Sequence, residues 1–318
     1  MLRLRRETVP QAKAPCQACN TDSRQVWRVE AQEGQAFTIL RCPSCGLAFA
    51  RPASAQNIDY GHVYGKDFHE KGLCTESSPA RLANERRVVA GTLSFLRGKL
   101  PLAPGKMLDV GCGDGAHLKL FHDAGWEVHG TEASPYAVDY SRQRYNFPVS
   151  MGDLRAISLE EQTFDYIQLR HVIEHIVDDP VGLLTRVRQL LKPGGVVRID
   201  TPNIGYAANL VLIDHRLVCL KRRLLHQPPG EYLRTYGNLE PPEHMLWFTH
   251  RVLTTALRRA ALYPLKVVVT YQGDPDHYPL KQPEHLRWVQ RIYRLADRVG
   301  AFVGRGSVLV VYAEARAS

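Results

Sequence analysis

Through the middle of the chain, short apolar runs alternate with stretches in which apolar residues recur every three or four positions. After the break Ala103-Pro104-Gly105, Lys106 to Val110 predicts a strand and Ala116 to Ala124 a helix. Trp126 to Thr131 predicts a second strand that ends on Glu132, and Pro135 to Tyr145 a second helix. Val149 opens a short third strand ahead of Gly152-Asp153-Leu154, and Phe164 to Leu169 is a fourth. Leu183 to Leu191 is helical in pattern, stopped by Lys192-Pro193-Gly194-Gly195, and Val196 to Asp200 is a fifth strand. Strands alternating with helices at this spacing predict an α/β fold with a doubly wound, mostly parallel sheet.

The first strand runs into Asp109-Val110-Gly111-Cys112-Gly113-Asp114-Gly115, an acid followed by alternating glycines. Such a turn lets a ligand approach bare backbone. By itself Gly111-x-Gly113-x-x-Ala116, with Glu132 placed to hold a ribose, also satisfies a dinucleotide fingerprint. The ordered set of this loop, Glu132, Gly152-Asp153-Leu154, Phe164 to His175, Leu191-Lys-Pro-Gly-Gly195 and Thr201-Pro-Asn203 resembles the class I S-adenosylmethionine methyltransferases. A nicotinamide enzyme would explain the glycines and Glu132 but not the Leu-Lys-Pro-Gly-Gly segment or Asp109.

The resemblance implies a seven-stranded, Rossmann-like sheet completed by a helix over Thr249 to Ala261 and strands over Leu265 to Tyr271 and Ser307 to Ala315. It implies S-adenosylmethionine as cofactor. Gly111 and Gly113 would admit its amino-acid end, Asp109 its ammonium and Glu132 its ribose hydroxyls. Asp153 and the Leu154 amide would take the adenine. The alternative role for Asp109 and Asp153 is a helix cap or a surface acid. Arg170 and His171 leave the carboxyl end of the fourth strand, where such sheets bind ligands, so His171 is a candidate lining or base residue. Cap insertions at about 204–248 and 272–306 would form a small helical cap over the open edge.

His171-Val-Ile-Glu174-His175 also spells a zinc-peptidase motif, but that motif needs a long helix and a third ligand. Here it sits directly behind an apolar strand and ahead of Asp178-Asp179-Pro180. Pro242-Glu243-His244-Met-Leu-Trp247 is similar to the Glu-His segment of zinc-ribbon methyltransferases that alkylate a carbon of deoxysugars. That resemblance makes His244 the candidate base and Glu243 its orienting acid; packing and capping are the alternative role. Tyr60 and Tyr64 resemble a tyrosine-bearing linker of the same relatives.

Cys16-x-x-Cys19 and Cys42-x-x-Cys45 are separated by 22 residues, the four-thiolate spacing of a structural Zn2+ ribbon. Between them Trp27, Val29, Phe37 and Ile39 alternate with polar residues, as in a hairpin too small to bury its own core. The total of seven cysteines is odd and no secretory signal is recognisable, which disfavours disulfides. The expected organisation is therefore a zinc ribbon over 1–55, a helical linker over 56–104 and a methyltransferase domain over 105–318.

Charge changes the picture only behind the fifth strand. From Gly205 to Ser318 there are 16 Lys/Arg against 9 Asp/Glu, which supplies seven of the chain's net nine positive charges. Arg287, Arg291, Arg294 and Arg298 form a basic helical stripe, which fits a solvated face, an attraction to a phosphorylated small-molecule, sugar or glycan acceptor, or a peripheral membrane contact. RNA is a minority reading, because no stacking pattern or RNA-binding module accompanies these charges. No apolar run is long enough to cross a membrane, so a cytoplasmic enzyme is expected. The expected activity is methyl transfer to a carbon or oxygen by in-line displacement with a histidine base. The alternatives are an RNA methyltransferase or a non-catalytic scaffold of the same fold.

Overall fold

The computed structural model describes residues 3–5, 13–30, 36–52, 79–100, 104–176, 178–205, 244–270, 298–302 and 306–316. The amino-terminal part is an antiparallel sheet of β1 (Arg3–Arg5), β2 (Lys13–Pro15), β3 (Asp22–Glu30), β4 (Ala36–Arg41) and β5 (Ala48–Pro52). After α1 (Pro79–Arg97), β6 (Lys106–Val110), α2 (Ala116–Asp123), β7 (Glu127–Glu132), α3 (Pro135–Tyr145), β8 (Val149–Met151), β9 (Phe164–Arg170), α4 (Pro180–Leu190) and β10 (Leu191–Pro202) alternate. The chain returns through β11 (Leu246–Trp247), α5 (His250–Arg259), β12 (Leu262–Thr270) and β13 (Val308–Ala315).

Seven strands form the central sheet in the order β12-β13-β10-β9-β6-β7-β8, parallel from β10 to β8 and antiparallel at β13 and β12. Strand alternation divides its two faces. Leu108, Val110, Ile167, Leu169, Val197 and Ile199 point towards α4 and α5, while Met107, Tyr166, Val196 and Val310 point towards α1, α2 and α3. The strand order reverses between β6 and β9, so ligands belong at the carboxyl ends of these two strands.

Local chemistry sets the element ends. Ser134 caps α3 by accepting from the Ala137 amide, Pro135 occupies the first turn, and Asn146 closes the helix with φ 56°. The helix expected from Leu183 begins at Pro180 instead, because Asp179 is its N-cap and accepts from the Gly182 amide at 2.7 Å. Asp178-Asp179-Pro180 is thus a start signal. Lys192-Pro193-Gly194-Gly195 does not separate helix from strand: β10 begins at Leu191 and carries an irregularity between Leu191 and Val196.

The amino-terminal sheet is not a detached module. β11, at the carboxyl end of the first expected insertion, pairs antiparallel with β5 through Leu246 opposite Phe49 and Trp247 opposite Ala48. The Ala50 amide donates to the Met245 carbonyl at 2.8 Å, and Arg259 donates to the Ala18 carbonyl at 2.5 Å. Leu40, Leu47 and Phe49 share one core with Leu246, Phe248, Val252 and Leu253. The small hairpin therefore buries its apolar face against the larger domain. Most of both expected cap insertions, Tyr60, Tyr64, the Arg287 to Arg294 part of the basic stripe and Glu243 lie outside the described residues.

Candidate functional site

The β6–α2 loop turns with φ of +69°, +56° and +78° at Gly111, Gly113 and Gly115. The first two glycines serve different ends. A Cβ on Gly111 would stand 2.6 Å from Val172 Cγ2, so this glycine lets the turn after β9 pack on the loop. A Cβ on Gly113 would meet nothing within 4 Å, so there the backbone faces open space. At the end of β7, Glu132 accepts through Oε2 from the Gly113 amide at 2.9 Å. Its Oε1 accepts from the Ala133 and Ser134 amides at 2.8 and 2.9 Å. One carboxylate thereby joins the two loops.

The carboxyl ends of the strands carry polar residues on the α1/α2 face. Asp109, Gln168, Arg198 and Asp200 are buried there, with Arg170 mostly so. Arg170 pairs with Glu85 of α1 at 2.9 Å and with Asp200 at 3.4 Å, and Arg198 pairs with Asp200 at 2.6 Å. Arg170 is thus placed inside a protein ion network. Burial alone would raise the Glu85 carboxyl, but Arg170 and His117 override it and hold the group well below the carboxylate range. Burial lowers His117 to about 4, so its ring is neutral. Nε2 must then donate to the ionised Glu85 at 2.6 Å, which leaves Nδ1 to accept from Gln168 Nε2 at 3.1 Å. Gln168 Oε1 accepts from Tyr166 at 3.2 Å.

Asp109 sits at the inner end of this network. Burial pushes its carboxyl up to about 7, opposed by a hydrogen bond from Gln168 and the charge of Arg170 and reinforced by Glu132 and Glu85. A bound cation would relieve that cost. Asp153 lies beyond β8, and its carboxylate accepts from Arg155 Nη2 at 2.5 Å while Arg155 also holds Asp178 at 2.9 Å. Burial tends to raise Asp153, and the Arg155 contacts prevail and lower it. Leu154 next to it is buried in the core.

After β9 the chain makes a sharp bend with His171 at φ 54°, followed by a 3₁₀ turn over Ile173–His175. A left-handed non-glycine residue is a strained position, held here by the His171 amide donating to the Asp200 carbonyl at 2.8 Å. The bend breaks the helix that a peptidase motif requires. Glu174 is buried, its Oε1 lies 3.2 Å from His171 Nδ1, and its Oε2 accepts from Thr201 Oγ1 at 2.9 Å. Burial opposes ionisation of Glu174, but His171, His175 and His244 lower it to about 2. The rings of His175 and His244 have centroids 5.0 Å apart. The Met245 amide donates to the Glu174 carbonyl at 2.9 Å and thereby brings His244 to the turn. The structure thus gathers His171 and His244, 73 positions apart, around one carboxylate.

At the turns of the amino-terminal sheet, Cys16 Sγ lies 3.5 Å from Cys45 Sγ, and Cys19 Sγ lies 3.4 Å from Cys42 Sγ. All four sulfurs stand within 4.8 Å of one another. Sulfurs around a tetrahedral Zn2+ with ~2.3 Å bonds are ~3.8 Å apart, so the donor set fits that ion. Crowding splits the thiols, with Cys45 pushed up chiefly by Cys16, and Cys16 drawn down to about 5 by its contact with Cys45.

Glu85, His117, Gln168, Arg198 and Asp200 were not singled out in the sequence. Their signal was available, since Gln168-x-Arg170 and Arg198-x-Asp200 interrupt apolar strands at every second position, marking one face as polar. Glu85 and His117 offered no such pattern.

A family model described as a methyltransferase domain matches residues 82–267, more than half of the chain. The chain is 29% identical over 126 residues to a ubiquinone biosynthesis O-methyltransferase of Coxiella burnetii (strain Dugway 5J108-111), a match covering 38% of this chain and 53% of that protein. It is 32% identical over 134 residues to one of Cereibacter sphaeroides (strain ATCC 17029), covering 40% and 54%. The matches therefore span about half the length of these curated relatives. A solved SAM-dependent methyltransferase from Archaeoglobus fulgidus aligns over 78% of this chain and 97% of its own, at 18% identity and a TM-score of 0.48.

Proposed function

The chain belongs to the methyltransferase-domain family, and from that premise we propose that it transfers the methyl group of S-adenosylmethionine to an oxygen or carbon of a small acceptor. The observation that carries the reading is the open backbone face at Gly113, tied by its own amide to Glu132 and backed through Gly111 by the His171–His175 turn. When bound, S-adenosylmethionine supplies a methyl group made electrophilic by a sulfonium.

The chain's own groups fit that ligand. Gly113 admits its amino-acid end, Gly111 seats Val172 behind the loop, and buried Asp109 offers a carboxylate to the ammonium. Glu132 takes the ribose. An ionised carboxylate has about four acceptor sites, and three are used by backbone amides, so a ribose hydroxyl takes the remaining site or displaces one amide. Asp153 and the Leu154 amide serve the adenine, with Arg155 orienting Asp153. Arg170 acts as a positioning residue through Glu85 and Asp200.

His244 or His171 takes the acceptor's proton, with Glu243 beside His244 in sequence as its orienting acid. Holding the acceptor in line with the methyl group supplies much of the rate enhancement. The relatives named as ubiquinone biosynthesis O-methyltransferases favour oxygen over carbon as the acceptor atom. The excess of Lys/Arg behind β10 favours an acceptor that carries negative charge, a phosphorylated sugar or glycan among them. Cys16, Cys19, Cys42 and Cys45 hold a structural Zn2+, which when bound contributes folding energy to the amino-terminal sheet.

Calorimetric titration of the full-length protein with S-adenosylmethionine, its demethylated product and the nicotinamide dinucleotides tests this reading, with zinc quantified in the same sample. Saturable binding of the sulfonium pair with about one zinc per chain is the expected result. A folded, zinc-loaded sample that binds neither overturns the enzyme reading in favour of a scaffold, and binding of a nicotinamide dinucleotide instead makes it a dehydrogenase.

A further inference from the structure

Glu174, His175 and His244 each offer a ligand atom, and these three atoms lie within 4.8 Å of one another. Donors ~2.1 Å from a metal ion stand at most ~4.2 Å apart, so side-chain movements of about 1 Å or less close the set. We propose that Glu174, His175 and His244 bind one divalent transition-metal ion, distinct from the cysteine site, that holds an oxygen of the methyl acceptor. The acceptor half of this proposal rests on the methyl-transfer reading, and the ion-binding half does not.

Three features make the cluster a built site. The first is a carboxylate taken out of water, since the Glu174 side chain is 1% exposed, and such a group calls for positive charge beside it. The second is a set of outer partners that fix the carboxylate and leave it lone pairs to give. Thr201 Oγ1 donates to Oε2 at 2.9 Å and His171 Nδ1 lies 3.2 Å from Oε1, which uses two of about four acceptor sites. The third is preorganisation of the distant ligand. His244 is followed by β11, which pairs with β5, and the Met245 amide donates to the Glu174 carbonyl at 2.9 Å. The amino-terminal sheet thereby fixes the backbone that carries the third ligand.

Two imidazoles and one carboxylate suit Mn2+, Fe2+, Co2+ or Zn2+ rather than Mg2+ or Ca2+, and three protein ligands leave coordination positions for an acceptor. A hydroxyl bound to such an ion becomes easier to deprotonate, and two neighbouring oxygens could chelate it. The acceptor class implied is therefore a vicinal diol, a catechol or a hydroxyl next to a carbonyl. The turn that bears the site packs on Gly111, beside the open face at Gly113. With His244 engaged as a ligand, His171 is the histidine left for proton transfer.

Mn2+ discriminates this site from the four thiolates, which prefer zinc. Full-length protein brought to one zinc per chain, so that the four thiolates alone are filled, is titrated with Mn2+ and free ion is followed by its paramagnetic resonance signal, with S-adenosylmethionine titrated into the same samples. The expected result is one Mn2+ per chain beyond the zinc, lost in His175→Asn and in His244→Ala, and weakened by about 10-fold or more in Thr201→Val. Each variant is checked by its melting temperature, and because the wild-type titration stands by itself, a misfolded variant does not decide the matter. Absence of Mn2+ binding to wild type, or undiminished binding in both folded histidine variants, overturns the proposal. Cofactor binding without Mn2+ binding sinks the metal site alone. Mn2+ binding without cofactor binding leaves the ion site standing and sinks methyl transfer.

Discussion

Asp109→Asn should stabilise the ligand-free protein at alkaline pH while weakening its hold on S-adenosylmethionine. In the folded chain the Asp109 carboxyl is raised from 3.8 to about 7, chiefly by burial. A carboxyl whose folded pKa lies above its unfolded value favours folding at low pH, and that contribution is lost as pH rises from about 4 to about 7. Three units at ~1.4 kcal/mol each give a ceiling of about 4 kcal/mol, and the residue is fully enclosed, so solvent screening removes little of it. Asparagine keeps an oxygen to accept from Gln168 but carries no charge. Urea unfolding of wild type and variant at pH 5, 6, 7 and 8 should show the variant more stable by about 2 to 4 kcal/mol at pH 8. The gap should narrow by up to ~1.4 kcal/mol per unit below pH 7. Calorimetry on the same samples should show weaker cofactor binding, because the ammonium loses its charged partner. A variant no more stable than wild type at pH 8, or a gap equal at pH 5 and pH 8, would refute the argument.

The two loop glycines should respond differently to substitution. Gly111→Ala drives a Cβ against Val172 and should lower the melting temperature, whereas Gly113→Arg fills open space and should abolish cofactor binding in a chain that still folds, as circular dichroism and calorimetry can check. Glu132→Ala leaves three backbone amides without their acceptor and should cost about 1 to 3 kcal/mol in urea unfolding as well as cofactor affinity. Removing residues 1–52 uncovers Met245, Leu246 and Trp247, each at most 2% exposed, and at about 1.5 to 3 kcal/mol per large apolar side chain should destabilise the remainder by about 5 kcal/mol. A truncated chain that melts like the full-length protein would show that the two parts fold independently. Glu85→Gln leaves Arg170 and Arg198 with only Asp200 to neutralise them and should cost about 3 kcal/mol, measured by the same denaturation.

Periodicity and local chemistry by themselves determined the five parallel strands of the central sheet, while its two antiparallel strands were legible only through the resemblance. Each βα unit is short and marked by its own signals, so β6, β7, β8, β9 and β10 lie where apolar runs end on Asp109, Glu132, Gly152, Arg170 and Asp200. The glycine loop was legible for the same reason, since its backbone angles are dictated by residues within it. So was the cysteine cluster, because two knuckles each place two thiols locally. Boundaries were less secure where one motif has two uses. Asp178-Asp179-Pro180 punctuates a chain as a break or as an N-cap, and in the folded chain the Asp179 carboxylate caps α4 through the Gly182 amide.

What tertiary structure decided was every relation between residues far apart in sequence. The polar network needs Glu85 of α1 and His117 of α2 to reach strands β6, β9 and β10, and no period along either helix announces such a meeting. Arg170 read as a ligand-facing residue at a strand end, yet two buried carboxylates claim it first, because an enclosed guanidinium must be neutralised nearby. His244 stands beside Glu174 because β11 adds a strand to the amino-terminal sheet, a hydrogen-bonded pairing of two residues too short to leave a pattern. That same pairing turned an expected appendage into part of one core. Local signals specify where chain elements begin, whereas burial of apolar faces and pairing of enclosed charges decide which elements meet, and the site lies where they meet.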